Sequence, residues 1–281
     1  SRPFGQCRYT DLQWLNKMAR ELQNKTIVIT GGAMGIGYAI AENFLQKNPR
    51  VVIILDINEN LGNEAINKLA VKYGKNKAVF YKCDVTIDLE IIFDKIIEEF
   101  TTVDVLVNNA GISNAHLRKT IDTNVIALME WSLKFWKHMR KDESGKGGTI
   151  INVASIYGYR IDPYVPVYQA SKFAVMGFTK SLGHVKNFTK YGVRVVAICP
   201  GFTSDTNLGS TTVLPELMEN FKVDQQLWQK PEAVGKAAVE VFENADSGTA
   251  WLIEGGQPIT LVQPPHRTWT GKLTPATYSN P

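Results

Sequence analysis

Cysteine is scarce: Cys7, Cys83 and Cys199 are the only three in 281 residues, and no two stand in a CxxC spacing. An odd count leaves at least one thiol free, so neither a disulfide framework nor a zinc site is signalled, and a reducing, cytoplasmic setting is expected. Histidine is almost as sparse. His116, His138, His184 and His266 are scattered without ligand spacing, which argues against a metal site and reads as satisfied surface residues. Long apolar runs are missing too. Stretches such as Val51 to Leu55 read as buried strands and fall far short of the roughly 18 residues of a membrane span. No block of one charge occurs either: 31 basic and 27 acidic residues are spread along the chain, so nucleic acid is not an expected partner.

What is present is the ordinary balance of a globular chain, 44% hydrophobic and 21% charged, with enough apolar surface for a full core. From Thr26 onward, short β-branched runs alternate with longer segments of helical period, the pattern of βαβ units. The expected fold is α/β: a single-domain Rossmann-type, doubly wound parallel sheet with helices on both faces. Strands are expected at Thr26–Thr30, Val51–Asp56, Ala78–Tyr81, Asp104–Asn108, Thr149–Ala154, Val193–Cys199 and Ala250–Glu254. They are mostly continuous Val/Ile runs, as strands covered on both faces should be. Helices are expected to begin near Gly35, Asn58, Asp88, Lys119, Tyr168 and Pro231.

The expected domain runs from residue 24 to 262, after an N-terminal extension (1–23) and before a proline-punctuated tail (263–281). The extension has Leu12, Leu15, Ala19 and Leu22 at helical spacing, but Asp11 and Glu21 favour a terminal extension over a targeting helix. One insertion breaks the βα rhythm. Residues 202–229 carry Gly, Ser and Thr early and Leu214, Leu217, Met218, Phe221, Leu227 and Trp228 later, which suggests a lid over a site.

The first strand runs straight into Gly31-Gly32-Ala33-Met34-Gly35-Ile36-Gly37 and then a helix. Glycines at this place permit a tight turn and close backbone approach to a pyrophosphate at a helix N-terminus. Gly31, Gly35, Ile36 and Gly37 are therefore expected cofactor contacts. Asp56, at the end of the second strand, suits the two hydroxyls of an adenosine ribose and would repel a 2′-phosphate, and neither Met34 nor Ile57 supplies a cation for one. NAD is expected rather than NADP. Asp84 follows the third strand and can meet the adenine edge or serve as a capping residue.

Asn108-Asn109-Ala110-Gly111 ends the fourth strand and Ser155 ends the fifth, at the carboxyl ends where open α/β sheets bind ligands. Tyr168 and Lys172 stand one helical turn apart, so both side chains share a face. A free phenol, with a pKa of about 10, is a poor base, but a neighbouring ammonium and an oxidised nicotinamide favour the phenolate. Tyr168 is thus the expected acid/base, with Ser155 hydrogen-bonding the substrate oxygen.

Together, Thr30-Gly31…Gly35-Ile36-Gly37, Asp84-Val85, Asn108-Asn109-Ala110-Gly111, Asn124, Ser155, Tyr168…Lys172 and Pro200-Gly201 resemble the short-chain dehydrogenase/reductase family of the Tyr-x-x-x-Lys type, from Asn24 to about Val262. The resemblance implies that Asn124 supports Lys172 in a proton relay and that Lys172 also holds the nicotinamide ribose. It further implies that Asp84, Val85, Asn109, Ala110 and Gly111 contact the cofactor and that Pro200 and Gly201 face the nicotinamide. A Thr shortly afterwards would touch the carboxamide, and Thr203 and Thr206 are both placed for this.

Within the family the chain is similar to two groups of NAD-dependent oxidisers, the insect alcohol dehydrogenases and the 15-hydroxyprostaglandin dehydrogenases. The latter carry a Gln three residues before the Tyr where Val165 stands here, which turns the expectation toward an aliphatic, isoprenoid or other hydrophobic alcohol. A homo-oligomer, dimer or tetramer, is implied as well. Trp131, Phe135 and Trp136 fit either such an interface or a core stripe. A non-catalytic NAD-binding scaffold is the contrasting class, and the intact Asn124, Ser155, Tyr168 and Lys172 set argues against it.

Overall fold

A computed structural model gives the fold and describes residues 20–113, 116–206 and 228–263. Seven parallel strands, β1 (Thr26–Thr30), β2 (Val51–Asp56), β3 (Ala78–Lys82), β4 (Val105–Asn108), β5 (Gly148–Val153), β6 (Val193–Pro200) and β7 (Ala250–Ile253), form one sheet. A short β8 (Thr260–Leu261) pairs antiparallel with β7. The spatial order is β3-β2-β1-β4-β5-β6-β7-β8. The order reverses between β1 and β4, where the chain leaves β1 in one direction and returns on its other side. Open α/β sheets bind ligands in the crevice at such a point.

The helices are α1 (Gly35–Leu45), α2 (Glu59–Tyr73), α3 (Leu89–Phe100), α4 (Leu117–Ile121), α5 (Leu128–Met139), α6 (Pro166–Leu182), α7 (Val185–Tyr191) and α8 (Pro231–Asn244). Asn58 and Asp88, expected as first helical residues, stand instead at the N-caps of α2 and α3. α6 begins two residues before Tyr168, on Pro166, whose fixed φ suits a first helical turn. Between α4 and α5 lies a π-helical turn, Asp122–Ala127, which hydrophobic periodicity did not reveal.

Strand residues alternate between two cores. Ile27, Ile29, Ile54, Val107, Ile151 and Val196 pack with Phe44 of α1 and Phe242 of α8, while Val28, Ile53, Leu55, Leu106, Ile150 and Val195 pack on α3 and α5. Because both faces are covered, every residue of β1 and of β6 is buried, which accounts for their near-continuous Val/Ile runs. Trp131 and Phe135, 1% and 0% exposed, belong to the second core with their rings stacked 5.9 Å apart. Trp136 is half-buried against Tyr191 at the end of that helix.

The fold also draws in residues before Thr26: Leu22 is 1% exposed and packs in the first core. His138 is not a plain surface histidine. Its Nε2 accepts the Val103 N–H at 3.3 Å, and burial pushes its pKa down. Among the described residues no helix is long and apolar enough to cross a membrane.

Candidate active site

At the switch point the ends of β1 and β4 are stitched together. The Thr30 hydroxyl accepts the N–H groups of Asn109 and Ala110, both at 3.0 Å, and the Asn109 amide donates to the carbonyls of Thr30 at 3.1 Å and Gly31 at 2.8 Å. The resulting turn leaves no space for side chains. Gly31 has φ +63, and a Cβ there would lie 2.8 Å from the Ala110 Cα. At Gly37 a Cβ would lie 2.2 Å from the Gly31 carbonyl oxygen and 2.5 Å from the Asn109 amide nitrogen. α1 starts at Gly35 with no acidic residue in its first turn, so its positive dipole end is open to an anion. This cradle fits a dinucleotide pyrophosphate.

Asp56 ends β2 and faces the same cleft. Its two carboxylate oxygens accept the N–H groups of Ala33 at 3.1 Å and Asn58 at 3.0 Å. It is thereby held as a fixed acceptor beside the glycine turn, with Met34 and Ile57 nearby in the lining. Asp84 accepts the Thr86 N–H at 3.0 Å and its hydroxyl at 2.7 Å, so it closes a turn, while the helix N-cap position falls to Asp88. Val85 is fixed by its carbonyl, which accepts the Trp131 indole N–H at 2.9 Å. Asp84 and Val85 both line the cleft.

The other half of the cleft is built on β5 and α6. Ser155 follows β5, and its hydroxyl accepts the Tyr157 N–H at 3.2 Å. It also lowers the pKa of the Tyr168 phenol, against the effect of burial. The Lys172 Nζ lies 5.5 Å from the centre of the Tyr168 ring and donates to the Val153 carbonyl at 2.9 Å. Both side chains are buried. Burial pushes the Tyr168 phenol up to about 12. Burial likewise pushes Lys172 down to about 8. The expected acidification of this phenol rests on the ammonium together with an oxidised nicotinamide. Among the chain's own residues desolvation is the largest cause of its shift, and the same burial disfavours the charge on Lys172.

Asn124 does not line the cleft. It is 1% exposed, in the π turn, and sits behind Gly111. Its Oδ1 accepts the Ile112 N–H and its Nδ2 donates to the Ile112 carbonyl, both at 2.8 Å, and Nδ2 also donates to the Ser171 hydroxyl at 3.1 Å. The Ser171 hydroxyl donates in turn to the Tyr168 carbonyl at 2.6 Å. Asn124 thus ties the loop after β4 to the helix that carries Tyr168. A Cβ on Gly111 would meet Asn124 Oδ1 at 3.3 Å and Lys172 Nζ at 3.7 Å, so the three residues share one small space.

Pro200, Gly201, Thr203 and Thr206 line the cleft opposite α6. The Thr203 hydroxyl donates to the Gly201 carbonyl at 3.0 Å. The Thr206 hydroxyl donates to the Thr203 carbonyl at 3.1 Å, and its methyl would lie 3.3 Å from a Cβ on Gly35. Thr203 therefore shapes the strand end and Thr206 reaches the glycine turn. The insertion closes at its neck: Ser204 N–H donates to the Gln229 carbonyl, and Gln229 N–H to the Phe202 carbonyl, both at 2.9 Å. The expected lid helices, residues 207–227, lie outside the described residues, as does the tail from 264.

Apart from Gly37 and Asn124, the expected site residues border one cleft of about 1370 Å³. It also contains Phe202 and Trp228, from the two ends of the expected lid, and Tyr157, which carries no motif and is not marked in the sequence as a site residue. For Tyr157 the signal to read would have been its position two residues past Ser155 at a strand end. Among the described residues no cluster of His, Cys, Asp and Glu could hold a metal ion.

Residues 25–215 match the family model described as short chain dehydrogenase. The chain is 36% identical over 192 residues to 15-hydroxyprostaglandin dehydrogenase [NAD(+)] of Macaca fascicularis, covering 67% of this chain and 72% of that protein. It is 32% identical over 248 residues to alcohol dehydrogenase 1 of Ceratitis cosyra, covering 85% of this chain and 95% of that one. The fold matches a crystal structure of 3-ketoacyl-(acyl-carrier-protein) reductase from Brucella melitensis complexed with NADH, at a TM-score of 0.70 and 24% identity, over 84% of this chain and 98% of that one.

Proposed function

The chain belongs to the short-chain dehydrogenase family, and from that premise we propose that it oxidises a hydrophobic alcohol to the corresponding carbonyl compound with NAD. The observation that carries this reading is the placement of Ser155, Tyr168 and Lys172 in the same cleft as the glycine turn and Asp56. NAD, when bound, accepts the hydride that leaves the carbinol carbon. The residues that would hold it are Gly31, Gly35, Ile36 and Gly37 around the pyrophosphate, and Asp56 at the adenosine ribose. Asp84 and Val85 would stand toward the adenine, with Asn109, Ala110 and Gly111 along the floor. Lys172, Pro200, Gly201 and Thr203 would hold the nicotinamide end.

The chain's own part is proton handling and orientation. Ser155 donates a hydrogen bond to the substrate oxygen and steadies the charge that grows there. Tyr168 takes the hydroxyl proton as the C–H bond breaks, so the phenol must be deprotonated beforehand. The charged form of Lys172 favours that phenolate, and Asn124 positions the helix on which both stand. Asp56 favours NAD over NADP, since its fixed carboxylate would face a 2′-phosphate.

A prostaglandin is the second substrate reading, favoured by the 36% identity to a 15-hydroxyprostaglandin dehydrogenase. Val165 in place of that group's Gln puts it second. Turnover followed by NADH absorbance tests both, with short secondary alcohols, farnesol-like alcohols and a prostaglandin as substrates. Tyr168→Phe is expected to lower turnover about 10²- to 10⁴-fold while NADH binding, read by fluorescence, persists. Near-normal turnover in that variant would remove the mechanism. Asp56→Asn is expected to narrow the preference for NAD over NADP, read as the ratio of their dissociation constants.

A further inference from the structure

Three aromatic rings stand in series along the wall of the cleft beside Tyr168, and the proton chemistry needs none of them. The Tyr157 ring lies 6.2 Å from that of Tyr168 and 6.1 Å from that of Phe202, edge to face at 85° in both cases. Phe202 then meets Trp228 at 5.7 Å, tilted by 32°. All three line the cleft, as do Ile156 and Val165, which pack with Tyr157 and Tyr168.

Tyr157 and the backbone of Phe202 are tied down before any substrate arrives. The Tyr157 hydroxyl donates to Asp162 Oδ2 at 3.1 Å, so the side chain cannot swing about χ1 without breaking a bond to a carboxylate. Asp162 is held in turn. Its Oδ1 accepts the Tyr164 N–H at 2.8 Å, and its own N–H donates at 2.9 Å to the side chain of Gln169, the neighbour of Tyr168 on α6. The phenol of Tyr157 is therefore occupied, and the face it offers the cleft is apolar. Phe202 is anchored through its carbonyl, which accepts the Gln229 N–H at 2.9 Å.

Rings at these spacings make a continuous aromatic wall, and such a wall discriminates by shape and by π character. A flat unsaturated group gains offset or edge contacts beyond its area burial, and a Tyr157 already tied down spares it the entropy of ordering that side chain. A saturated ring of equal carbon count is puckered, thicker and limited to dispersion. We infer that the Tyr157–Phe202–Trp228 wall selects alcohols whose carbon arm carries a flat aryl or conjugated group over saturated arms of the same size. This inference rests on the dehydrogenase reading and adds the class of substrate to it.

The matched pair 2-phenylethanol and 2-cyclohexylethanol tests it, because the ring stands one carbon away from the carbinol and the intrinsic ease of hydride loss is similar for both. The wild-type chain with NAD is expected to favour the phenyl compound about fivefold or more in kcat/KM. That ratio should fall close to one in Tyr157→Leu and in Phe202→Leu, and most of it should survive in Tyr157→Phe, where the ring remains. Equilibrium affinities of the two alcohols for the NADH complex, from titration calorimetry, should follow the same order and do not depend on turnover. The affinity order without any oxidation would support the wall's selectivity and count against the dehydrogenase reading. Equal affinities, a preference for the saturated ring, or a ratio that survives both leucine variants would overturn the inference. Should Tyr157→Leu fail to fold, Phe202→Leu and Trp228→Leu decide the matter.

Discussion

Tyr168 and Lys172 are moved in opposite directions by the same burial, the phenol up to about 12 and the ammonium down to about 8. Each shift makes folding depend on pH. Lys172 has its folded value below its unfolded one, so between about 8 and 10.5 the unfolded chain binds the extra proton and stability rises with pH. Tyr168 has the opposite sign: its contribution is present below pH 10 and is lost as pH climbs toward 12. Comparing wild type with Lys172→Met isolates the first effect, since nearly all other titrating groups are common to both. The wild-type chain should gain roughly 3 kcal/mol relative to the variant between pH 7.5 and 10.5, read from urea midpoints. A gap that stays flat over that window would mean Lys172 is solvated. Geometry at Gly37 makes a second claim. A Cβ there would stand 2.2 Å from a backbone oxygen that cannot move cheaply, so Gly37→Ala should lose NAD binding and lower the thermal midpoint together. The glycine turn, Asp56 and the Tyr168–Lys172 pair were legible in the sequence because each is a spacing along the chain. The direction of the phenol's shift was not, because burial depends on what packs around it from β5, β6 and the loop after β4.

At the scale of elements, the strands and most helix starts lie within one or two residues of where periodicity placed them, since buried Val/Ile runs and capping residues are local signals. The π turn Asp122–Ala127 is different in kind. It inserts a residue into the helical ladder, and such bulges gather at functional sites; here it carries Asn124 toward Ile112 and Ser171. Nothing in a hydrophobic pattern marks which turn of a helix will widen. Replacing Asn124 by Ala would leave both backbone groups of Ile112 without their side-chain partner, at a cost of about 1–3 kcal/mol. Turnover should fall alongside, with a larger effect on kcat than on KM, because Asn124 touches the loop and α6 and not the cleft. A lower thermal midpoint with unchanged kcat would make its role purely structural. β8, two residues long, is invisible to any alternation count and exists because β7 offers it an edge to pair with.

Across the whole molecule, the start of the described chain is tied to the far end of the fold. Arg20 donates to the Asn244 carbonyl and to the Asp246 carboxylate, both at 2.9 Å, and Leu22 enters the core that joins α1 to α8. The two ties differ in strength. Asp246 is 83% exposed, so screening leaves the ion pair at most about 1 kcal/mol. Emptying the Leu22 site removes apolar contacts and opens a cavity, which typically costs about 2–5 kcal/mol. For a domain of this size that corresponds to a fall of roughly 5–15 °C in the thermal midpoint of Leu22→Ala, against a few degrees at most for Arg20→Ala. Turnover at 25 °C should be unaffected in Leu22→Ala, since Leu22 packs in the first core and does not line the cleft. Removing residues 1–17 should leave turnover intact, because it spares both Arg20 and Leu22. A midpoint in Leu22→Ala within two degrees of wild type would mean that α1 and α8 close over the gap, and that the fold begins at β1.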